Sequence, residues 1–332
     1  MTGPQRKSFD MLRNLARPLA LAAAVALSGT APATAQSLGD ILSAELLPGW
    51  RTETGTQMAA IRLTLSQGWK TYWRSPGDAG IPPEFDWRGS ENVKAVRLHW
   101  PVPQVFDFNG MQTIGYAREL VLPVEIWPQV PGQPVKLRSN VDLGVCRDIC
   151  VPANLRLQGT LAPQGGGDPV IRAALKAQPG SARAAGLRSA SCQVEPSRKG
   201  LKLRAELDLP RLGPDEVVVV ETSDPTVWVA EAVTRRDGGR LVAETQLVSA
   251  DRKPFALDRS GLTITVLSGG KAVELTGCPA PQVDTPTAAA TTARRPLQAM
   301  QAPASRPGTA GPPAAAAASR AGSRPAGPAG HP

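Results

Sequence analysis

The sequence predicts an all-β fold built from two antiparallel sandwiches, and three observations lead to this class. Gly and Pro, with 32 and 33 residues in a chain of 332, interrupt the sequence too often for long helices. Short runs in which apolar and polar residues alternate recur along the chain, as in half-buried strands. Clusters of turn-forming residues separate these runs, which is the pattern of antiparallel sandwiches.

The amino-terminal end of the sequence predicts export from the cytoplasm. Residues 1–35 combine four basic side chains, an apolar run over 19–27 and the tripeptide Ala33-Thr34-Ala35, which together predict a cleavable signal peptide. The apolar run is shorter than the roughly 20 residues of a membrane span, and no later stretch could cross a bilayer. We therefore expect the mature protein in the periplasm, where cysteine pairs can stay oxidised.

The net charge of +9 is concentrated at the two ends of the chain. Residues 1–35 contribute +3 and residues 279–332 contribute +4, which leaves +2 for the part between them. A nearly neutral folded part argues against nucleic acid as a partner, since a polyanion binder carries its positive charge on the folded surface. Residues 282–332 contain almost no large apolar side chains, and we expect this tail to be disordered.

Residues 36–162 form the first predicted domain. Its predicted strands share an alternation of apolar and polar side chains and span residues 57–66, 69–74, 93–100, 120–127, 135–143 and 154–161. In the second of these strands, Trp69 and Trp73 fall on one face and Tyr72 falls on the other. Most aromatic side chains of this domain should lie in its core. Phe106 and Phe108 are expected on a polar loop around Asp107, where they could cover a site.

Residues 163–189 are predicted to be a linker with one short helix, which has Asp168 as its N-cap and Pro169 in the first helical position. Residues 190–281 form a second predicted β domain. Its expected strands span residues 201–209, 217–221, 227–233, 241–248 and 262–267. The sequence Asp237-Gly238-Gly239 predicts a tight hairpin within this domain.

Cys192 and Cys278 are expected to form a structural disulfide. They lie at the start and the end of the second predicted domain, where the first and last strands of a sandwich are often neighbours. A bridge between them closes a loop of about 87 residues and, in the chain-entropy model, stabilises the fold by roughly 4–5 kcal/mol. The corresponding value for a bridge between Cys146 and Cys150 is only about 2 kcal/mol.

Cys146 and Cys150 are separated by three residues on a turn after a predicted strand, and three explanations stay open for this pair. The cysteines could be a reversible redox couple, an inert local disulfide or part of a metal site. Between them, Arg147 would favour a thiolate by its charge and Asp148 would oppose it. The sequence therefore does not determine how reactive either sulfur is.

A metal site would need more ligands than the two cysteines. A closed zinc site takes four, and His99 is the one histidine of the predicted folded part. Cu(I) could be held by both thiolates and a methionine such as Met58 or Met111. A single histidine also excludes a Ser/His/Asp triad, and no glycine-rich phosphate loop links a strand to a helix. Thiol chemistry is therefore the catalytic chemistry that the sequence supports, and we expect no metal and no other cofactor.

Several motifs occur here in the order known from one family. They are residues 69–80 (WKTYWRSPGDAG), residues 106–110 (FDFNG), Leu122-Pro123-Val124, and the Cys146/Cys150 turn followed by Val151-Pro152. Across residues 45–162 the chain resembles the periplasmic amino-terminal domain of the thiol:disulfide interchange protein DsbD and of the copper-sensitivity suppressor ScsB proteins. The second predicted β domain resembles the extension found in the longer members.

This resemblance implies an immunoglobulin-like sandwich that acts as a thiol:disulfide oxidoreductase rather than as an enzyme of small molecules. The partners it implies are periplasmic thioredoxin-like proteins or a membrane thiol-electron carrier. It implies that Cys150 forms the mixed disulfide with a partner and that Cys146 resolves it. Asp107 and Phe108 would belong to a cap loop that shields the pair until a partner docks. A non-catalytic sandwich that binds copper or docks partners is the alternative.

Two departures from the family pattern limit what the resemblance implies. Three residues separate the cysteines here and five separate them in the best-known member, so the geometry and potential of the bridge do not carry over. The family's membrane-spanning segment and carboxy-terminal thioredoxin-like domain have no counterpart in this sequence. We therefore expect the electron source to be a separate protein.

Overall fold

The computed structural model describes residues 37–108, 110–162 and 166–281. Within these residues the protein consists of β-strands and two short helices, which confirms the predicted all-β class. The predicted signal peptide, residues 1–35, and the predicted tail, residues 282–332, lie outside the described residues. In the part of the chain that is described, no helix is long and apolar enough to cross a membrane.

Residues 38–161 contain a first pair of sheets, preceded by the short helix α1 (Leu38–Ile41). The strands are β1 (Leu42–Arg51), β2 (Gln57–Leu65), β3 (Lys70–Tyr72), β4 (Glu84–Asp86), β5 (Ala95–Leu98), β6 (Gln104–Phe108), β7 (Met111–Ala117), β8 (Glu119–Trp127), β9 (Val135–Cys146) and β10 (Cys150–Leu161). One sheet has the order β1-β2-β8-β5 and the other the order β10-β9-β3-β7-β6, with β4 also paired to β9. Neighbouring strands in both sheets are antiparallel, as expected for an immunoglobulin-like sandwich.

The core of this sandwich lies between its two sheets, because every second side chain of a strand points inward. Trp73 is fully buried there, among Ile61 and Leu122 of one sheet and Leu137 of the other. Trp69 is buried in the same cluster, as the alternation in the sequence predicts. The side chains of Lys70 and Tyr72 point to the opposite face of the strand, where the two cysteines of the site lie.

The alternation patterns locate six of these strands and miss β1, β4, β6 and β7. The expectation that Phe106 and Phe108 lie on a polar loop is wrong, because both belong to β6 and pair with residues of β7. The dipeptide Asn109-Gly110 is the signal that could have revealed this hairpin. Gly110 has a φ of 76°, a conformation that glycine adopts without strain.

Helix α2 (Pro169–Lys176) has the N-cap predicted from the sequence. The Asp168 carboxylate accepts hydrogen bonds from the backbone N–H groups of Val170 at 2.7 Å and Ile171 at 3.2 Å. Ile171 is fully buried and packs against Met58 and Ala60 of β2. The helix therefore covers the outer face of the first sheet, on the side away from the sandwich core.

Residues 180–276 form a second pair of sheets. Its strands are β11 (Gly180–Ser181), β12 (Ser189–Ser197), β13 (Gly200–Asp208), β14 (Val217–Glu221), β15 (Val227–Val229), β16 (Val233–Asp237), β17 (Arg240–Ser249), β18 (Thr263–Ser268) and β19 (Lys271–Thr276). The sheet orders are β11-β19-β18-β14 and β12-β13-β17-β15, with β16 also paired to β17. Asp237 pairs with Arg240, so Gly238 and Gly239 form the tight hairpin that the sequence predicts.

A disulfide joins Cys192 of β12 to Cys278, which follows β19, and their Cα atoms are 5.5 Å apart. Both cysteines are buried in the core between the two sheets. The backbone N–H of Cys192 donates to the carbonyl of Pro279 at 2.7 Å. The bridge therefore ties one sheet of this pair to the chain that leaves the other sheet.

The two pairs of sheets contact each other within one compact unit. Arg74, two residues after the end of β3, donates to the carboxylates of Glu221 at 2.9 Å and Glu274 at 2.6 Å. Val219 and Leu267 of the second pair belong to the buried cluster that is centred on the first pair. The domain boundaries at residues 36–162 and 190–281 stay predictions from the sequence.

Replacing Ile171 with alanine should lower the free energy of unfolding by about 2–4 kcal/mol, because the change leaves a cavity between α2 and β2. Val170→Ala, at a half-buried position of the same helix, should cost about 1 kcal/mol or less. Urea unfolding followed by circular dichroism measures both variants. Equal losses for the two variants would show that Ile171 does not anchor the helix.

Candidate functional site

Strands β9 and β10 form a hairpin whose last residue pair is Cys146 and Cys150. The pairing runs without a break from Val135 and Leu161 to the two cysteines, so two long strands fix the positions of both sulfurs. The backbone N–H of Arg147 donates to the carbonyl of Ile149 at 3.0 Å and closes the connecting loop. A disulfide joins the two cysteines, whose Cα atoms are 4.1 Å apart.

The two cysteines differ in their access to solvent. Cys146 is only 2% exposed, because β9 lies between β10 and β3 inside the sheet. Cys150 is exposed, because it begins β10, which is the edge strand. Disulfide exchange requires a thiolate to reach one of the two sulfurs, and access is one of the factors that select which sulfur is attacked. The structure therefore favours attack at Cys150.

Tyr72 is a site residue that the sequence analysis did not identify. Its hydroxyl donates a hydrogen bond to the Cys146 sulfur at 3.0 Å and lies 3.6 Å from the Cys150 sulfur. Burial raises the pKa of Tyr72, so the hydroxyl keeps its proton at neutral pH. The arrangement places a hydrogen-bond donor against the sulfur that gains negative charge when Cys150 is attacked.

Gly144 makes the room in which the Tyr72 ring lies. A Cβ atom at this position would be 3.2 Å from Cε2 of Tyr72 and 3.0 Å from Cβ of Ile81. Both side chains therefore pack over bare backbone of β9, two residues before Cys146. Ile81 is 44% exposed, and Ile149, in the loop between the cysteines, is 69% exposed. These two isoleucines add an apolar surface near the exposed sulfur.

The hairpin of β6 and β7 lies on the other side of β3, and it carries the predicted cap residues. The ring of Phe106 lies over the ammonium of Lys70, 5.0 Å from the ring centroid. Asp107 is exposed, and its carboxylate accepts from the backbone N–H of Gly110 at 3.3 Å, which closes the hairpin turn. The side chain of Phe108 lies outside the described residues, so its role as a cap stays a prediction.

The two charged residues between the cysteines interact with each other. Arg147 and Asp148 form an ion pair at 3.0 Å. The Arg147 guanidinium also lies over the ring of Trp69, 5.2 Å from its centroid. Their opposing influences on the sulfurs, which the sequence left unresolved, are therefore reduced by mutual pairing.

The residues that were weighed as possible metal ligands lie in other environments. His99 contacts Glu125 at 3.0 Å and Gln178, just after α2, at 3.1 Å. Met58 is buried beneath α2, and Met111 is 53% exposed at the start of β7. Among the described residues, no group of three or more His, Cys, Asp or Glu side chains could share a metal ion.

The antiparallel sandwich and the bridged cysteine pair at its hairpin tip define a domain related to thiol:disulfide interchange proteins. Residues 43–162, a little over a third of the chain, match the family described as "Thiol:disulfide interchange protein DsbD, N-terminal". The resemblance inferred from the sequence motifs is confirmed.

Solved structures extend the comparison of the fold. The N-terminal periplasmic domain of ScsB from Proteus mirabilis aligns with 75% of this chain and 97% of its own, with 21% identity and a TM-score of 0.56. That coverage reaches beyond residues 43–162, so the similarity of fold includes the second pair of sheets. The N-terminal domain of DsbD from Neisseria meningitidis, in the reduced form, aligns with 39% of this chain and 100% of its own, with 18% identity and a TM-score of 0.22. The comparison with curated proteins found no match.

Burial raises the pKa of both tyrosines of the chain, Tyr72 and Tyr116, above the usual value of about 10. At pH 10 the folded protein should therefore show clearly less tyrosinate absorbance than the protein unfolded in urea. Because the unfolded chain loses these protons first, the free energy of unfolding should fall as the pH rises above about 10. In Tyr116→Phe the remaining signal reports Tyr72 alone. A Tyr72 that titrates like a free tyrosine would contradict its burial against the sulfurs.

Proposed function

We propose that this protein is a periplasmic thiol:disulfide interchange protein that passes electrons between partner proteins through Cys146 and Cys150. The observation that carries the proposal is the asymmetry of the pair. An exposed Cys150 is bonded to a buried Cys146 whose sulfur accepts a hydrogen bond from Tyr72. The family match over residues 43–162 supports the same chemistry. A purely structural disulfide would not need a hydrogen-bond donor against one of its sulfurs.

Reduction of the pair takes two exchange steps. A thiolate of a thioredoxin-like partner attacks the Cys150 sulfur, the bond to Cys146 breaks, and its electron pair leaves on Cys146 as a thiolate. The Tyr72 hydroxyl stabilises this charge by a charge-assisted hydrogen bond. The second thiolate of the partner then attacks the mixed disulfide and releases Cys150. The partner leaves as a disulfide, and two electrons and two protons have converted the pair to a dithiol.

Delivery of the electrons uses the same residues in the reverse order. The Cys150 thiolate attacks the disulfide of a second partner, and one sulfur of that partner leaves as a thiolate. Cys146 then attacks the mixed disulfide, which restores the Cys146–Cys150 bond and releases the second partner as a dithiol. The partners that fit this cycle are periplasmic thioredoxin-like proteins or a membrane thiol-electron carrier.

The surroundings of Cys150 supply a docking surface with a movable element beside it. Ile81 and Ile149 are exposed near the sulfur and provide apolar contacts for a partner. The β6–β7 hairpin, with Asp107 and Phe108, serves as the cap that a docked partner displaces. Residues 115–117 of β7 pair with β3, so only the tip of the hairpin, between Phe106 and Thr113, moves in this proposal.

Cys146→Ala should trap a mixed disulfide through Cys150, because no second thiol remains to resolve it. Cys150→Ala should react at least about tenfold more slowly, because Cys146 is buried. The probe is a thioredoxin with a single active-site cysteine, activated as its thionitrobenzoate disulfide. The release of thionitrobenzoate gives the rate, and a non-reducing gel shows the adduct. Equal rates for the two variants would contradict the assignment of Cys150 as the sulfur that forms the mixed disulfide.

Differential alkylation across a glutathione series controls for a merely structural bridge. In the wild-type protein, Cys146 and Cys150 should become reduced under conditions that leave Cys192 and Cys278 oxidised. Equal resistance of the two bridges would contradict the relay. A reduced protein that exchanges no disulfide but binds Cu(I) tightly, with binding lost in Cys150→Ser, would instead support a copper-binding sandwich.

Tyr72→Phe should slow the opening of the Cys146–Cys150 bond by dithiothreitol by about tenfold, since hydrogen bonds to charged groups contribute about 1.5–3 kcal/mol. Tyr116→Phe is the matched control. It removes a hydrogen bond from the Tyr116 hydroxyl to the Pro101 carbonyl at 2.7 Å, which involves neither cysteine. The control should react within about twofold of the wild-type rate. Identical rates in all three proteins would remove Tyr72 from the mechanism.

A further inference from the structure

Lys70 lies in register with both cysteines of the site. It pairs with Cys146 across β3 and β9, and Cys146 pairs with Cys150 across β9 and β10. Directly opposed residues of antiparallel strands project from the same face, with Cβ atoms about 4.5–5.5 Å apart. One row across three strands therefore holds a lysine and both sulfurs.

The ammonium of Lys70 is partly withdrawn from water, and no described residue supplies a counter-ion. Among the described residues it contacts the Thr113 hydroxyl at 3.2 Å and the face of the Phe106 ring, and it forms no ion pair. Burial lowers the pKa of Lys70, as expected for an ammonium that loses water and gains no carboxylate. Only part of the side chain is buried, and both the hydrogen bond to Thr113 and the cation–π contact with Phe106 favour its charged form.

The acidic groups on the neighbouring elements have other partners. Asp148 pairs with Arg147, and Asp107 accepts from the turn of its own hairpin. Asp142 shares the face of Cys146 but lies four residues, about 13 Å, further along β9, where it accepts from Asn154. In the row with the two sulfurs, Lys70 is therefore the charge that no described residue compensates.

We infer that Lys70 stabilises the thiolates of the reduced Cys146/Cys150 pair and thereby determines how easily the disulfide is reduced. The inference rests on the proposed exchange function and adds a residue to it. The disulfide is uncharged and gains little from a nearby cation. When a partner thiolate breaks the bond, the electron pair leaves on Cys146, and a cation in a partly buried site attracts that charge. Lys70 therefore favours the reduced state and raises the reduction potential.

Docking of a partner should strengthen the attraction between the Lys70 ammonium and the Cys146 thiolate. Both contacts of the ammonium, Thr113 and Phe106, belong to the β6–β7 hairpin. A partner that displaces the tip of this hairpin, beyond the residues of β7 that pair with β3, releases the ammonium from these contacts while Lys70 stays in the row with the sulfurs. The charge is then free to turn toward Cys146 at the step in which the thiolate forms.

Lys70→Met removes the charge and keeps the apolar stem of the side chain. The thiolate fraction of the reduced pair at pH 7.5, measured from its absorbance at 240 nm and its rate of alkylation, should fall about 3–10-fold. Where thiolates are populated, the equilibrium with glutathione should shift toward the disulfide by a similar factor, and a tenfold shift corresponds to about 30 mV. Lys70→Arg keeps the charge and should restore at least half of each change.

Lys94→Met is the matched control, because it removes the same charge at an exposed position just before β5, the edge strand of the other sheet. Its thiolate fraction and glutathione equilibrium should stay within about twofold of the wild-type values.

At a pH low enough to protonate every thiol, the equilibria of all variants with glutathione should converge. The opening of the disulfide should stay slower in Lys70→Met, because Cys146 still leaves as a thiolate. Lys70→Gln supplies the same comparison if methionine disturbs the fold.

The outcomes separate this inference from the proposed function. If wild type and Lys70→Met have the same thiolate fraction, glutathione equilibrium and opening rate while both exchange with the thioredoxin probe, the role of Lys70 is overturned and the relay stands. The role of Lys70 is also overturned if Lys70→Arg fails to restore the thiolate fraction and the glutathione equilibrium while Lys70→Met lowers the free energy of unfolding. That result would show that Lys70 acts through packing. If the wild-type pair is not reduced anywhere in the glutathione series, the relay itself fails.

Discussion

The register of three antiparallel strands is the constraint on which the site depends. β3, β9 and β10 align Lys70, Cys146 and Cys150 in one row, and they bring Tyr72 against the sulfurs. A slip of one residue between β3 and β9 would place Lys70 and Tyr72 on the face opposite to the two sulfurs. The buried hydroxyl of Thr71 donates to the carbonyl of Gly144 at 3.0 Å and helps to hold this alignment. The chemistry therefore follows from strand pairing as much as from the identity of the cysteines.

The second pair of sheets supports the strand that carries Tyr72. Arg74 follows it by two residues and reaches Glu221 and Glu274 of the second pair. Burial opposes the charge of Arg74, but the two carboxylates outweigh this effect and raise its pKa. These two ion pairs are partly buried, so removal of one partner would leave a charge poorly solvated.

The segment after Arg74 also joins the second pair of sheets to the β6–β7 hairpin. The backbone N–H of Glu231 donates to Asp78 at 2.9 Å, and the backbone N–H of Ile114 in β7 donates to the carbonyl of Pro76 at 2.9 Å. One short stretch of chain is thus held between β7 and the second pair of sheets. These contacts give the second pair a physical connection to the hairpin beside the site.

Features set by residues adjacent in the sequence, such as a helix cap or the face of a strand, could be predicted. The pairing of strands that are distant in the sequence could not. The N-cap of α2 follows from Asp168 and Pro169, which are adjacent to the helix they begin. The alternation of Trp69, Tyr72 and Trp73 gives the correct face for each ring. The contact of Tyr72 with Cys146 joins residues 74 positions apart, and its existence depends on which strand lies beside β3. No pattern within either strand specifies that neighbour.

The position of the Cys146–Cys150 bond at the tip of a long hairpin separates redox chemistry from folding. Strand pairing from Val135 and Leu161 onward holds β9 and β10 together, so the covalent link closes a ring that the backbone has already formed. Its loop-closure contribution is only about 2 kcal/mol, against roughly 4–5 kcal/mol for the bridge between Cys192 and Cys278. Opening the short bond therefore demands little rearrangement of the scaffold. In the proposed cycle the two sheets can therefore keep the same structure in both oxidation states, and the tip of the β6–β7 hairpin is the part that moves when a partner docks.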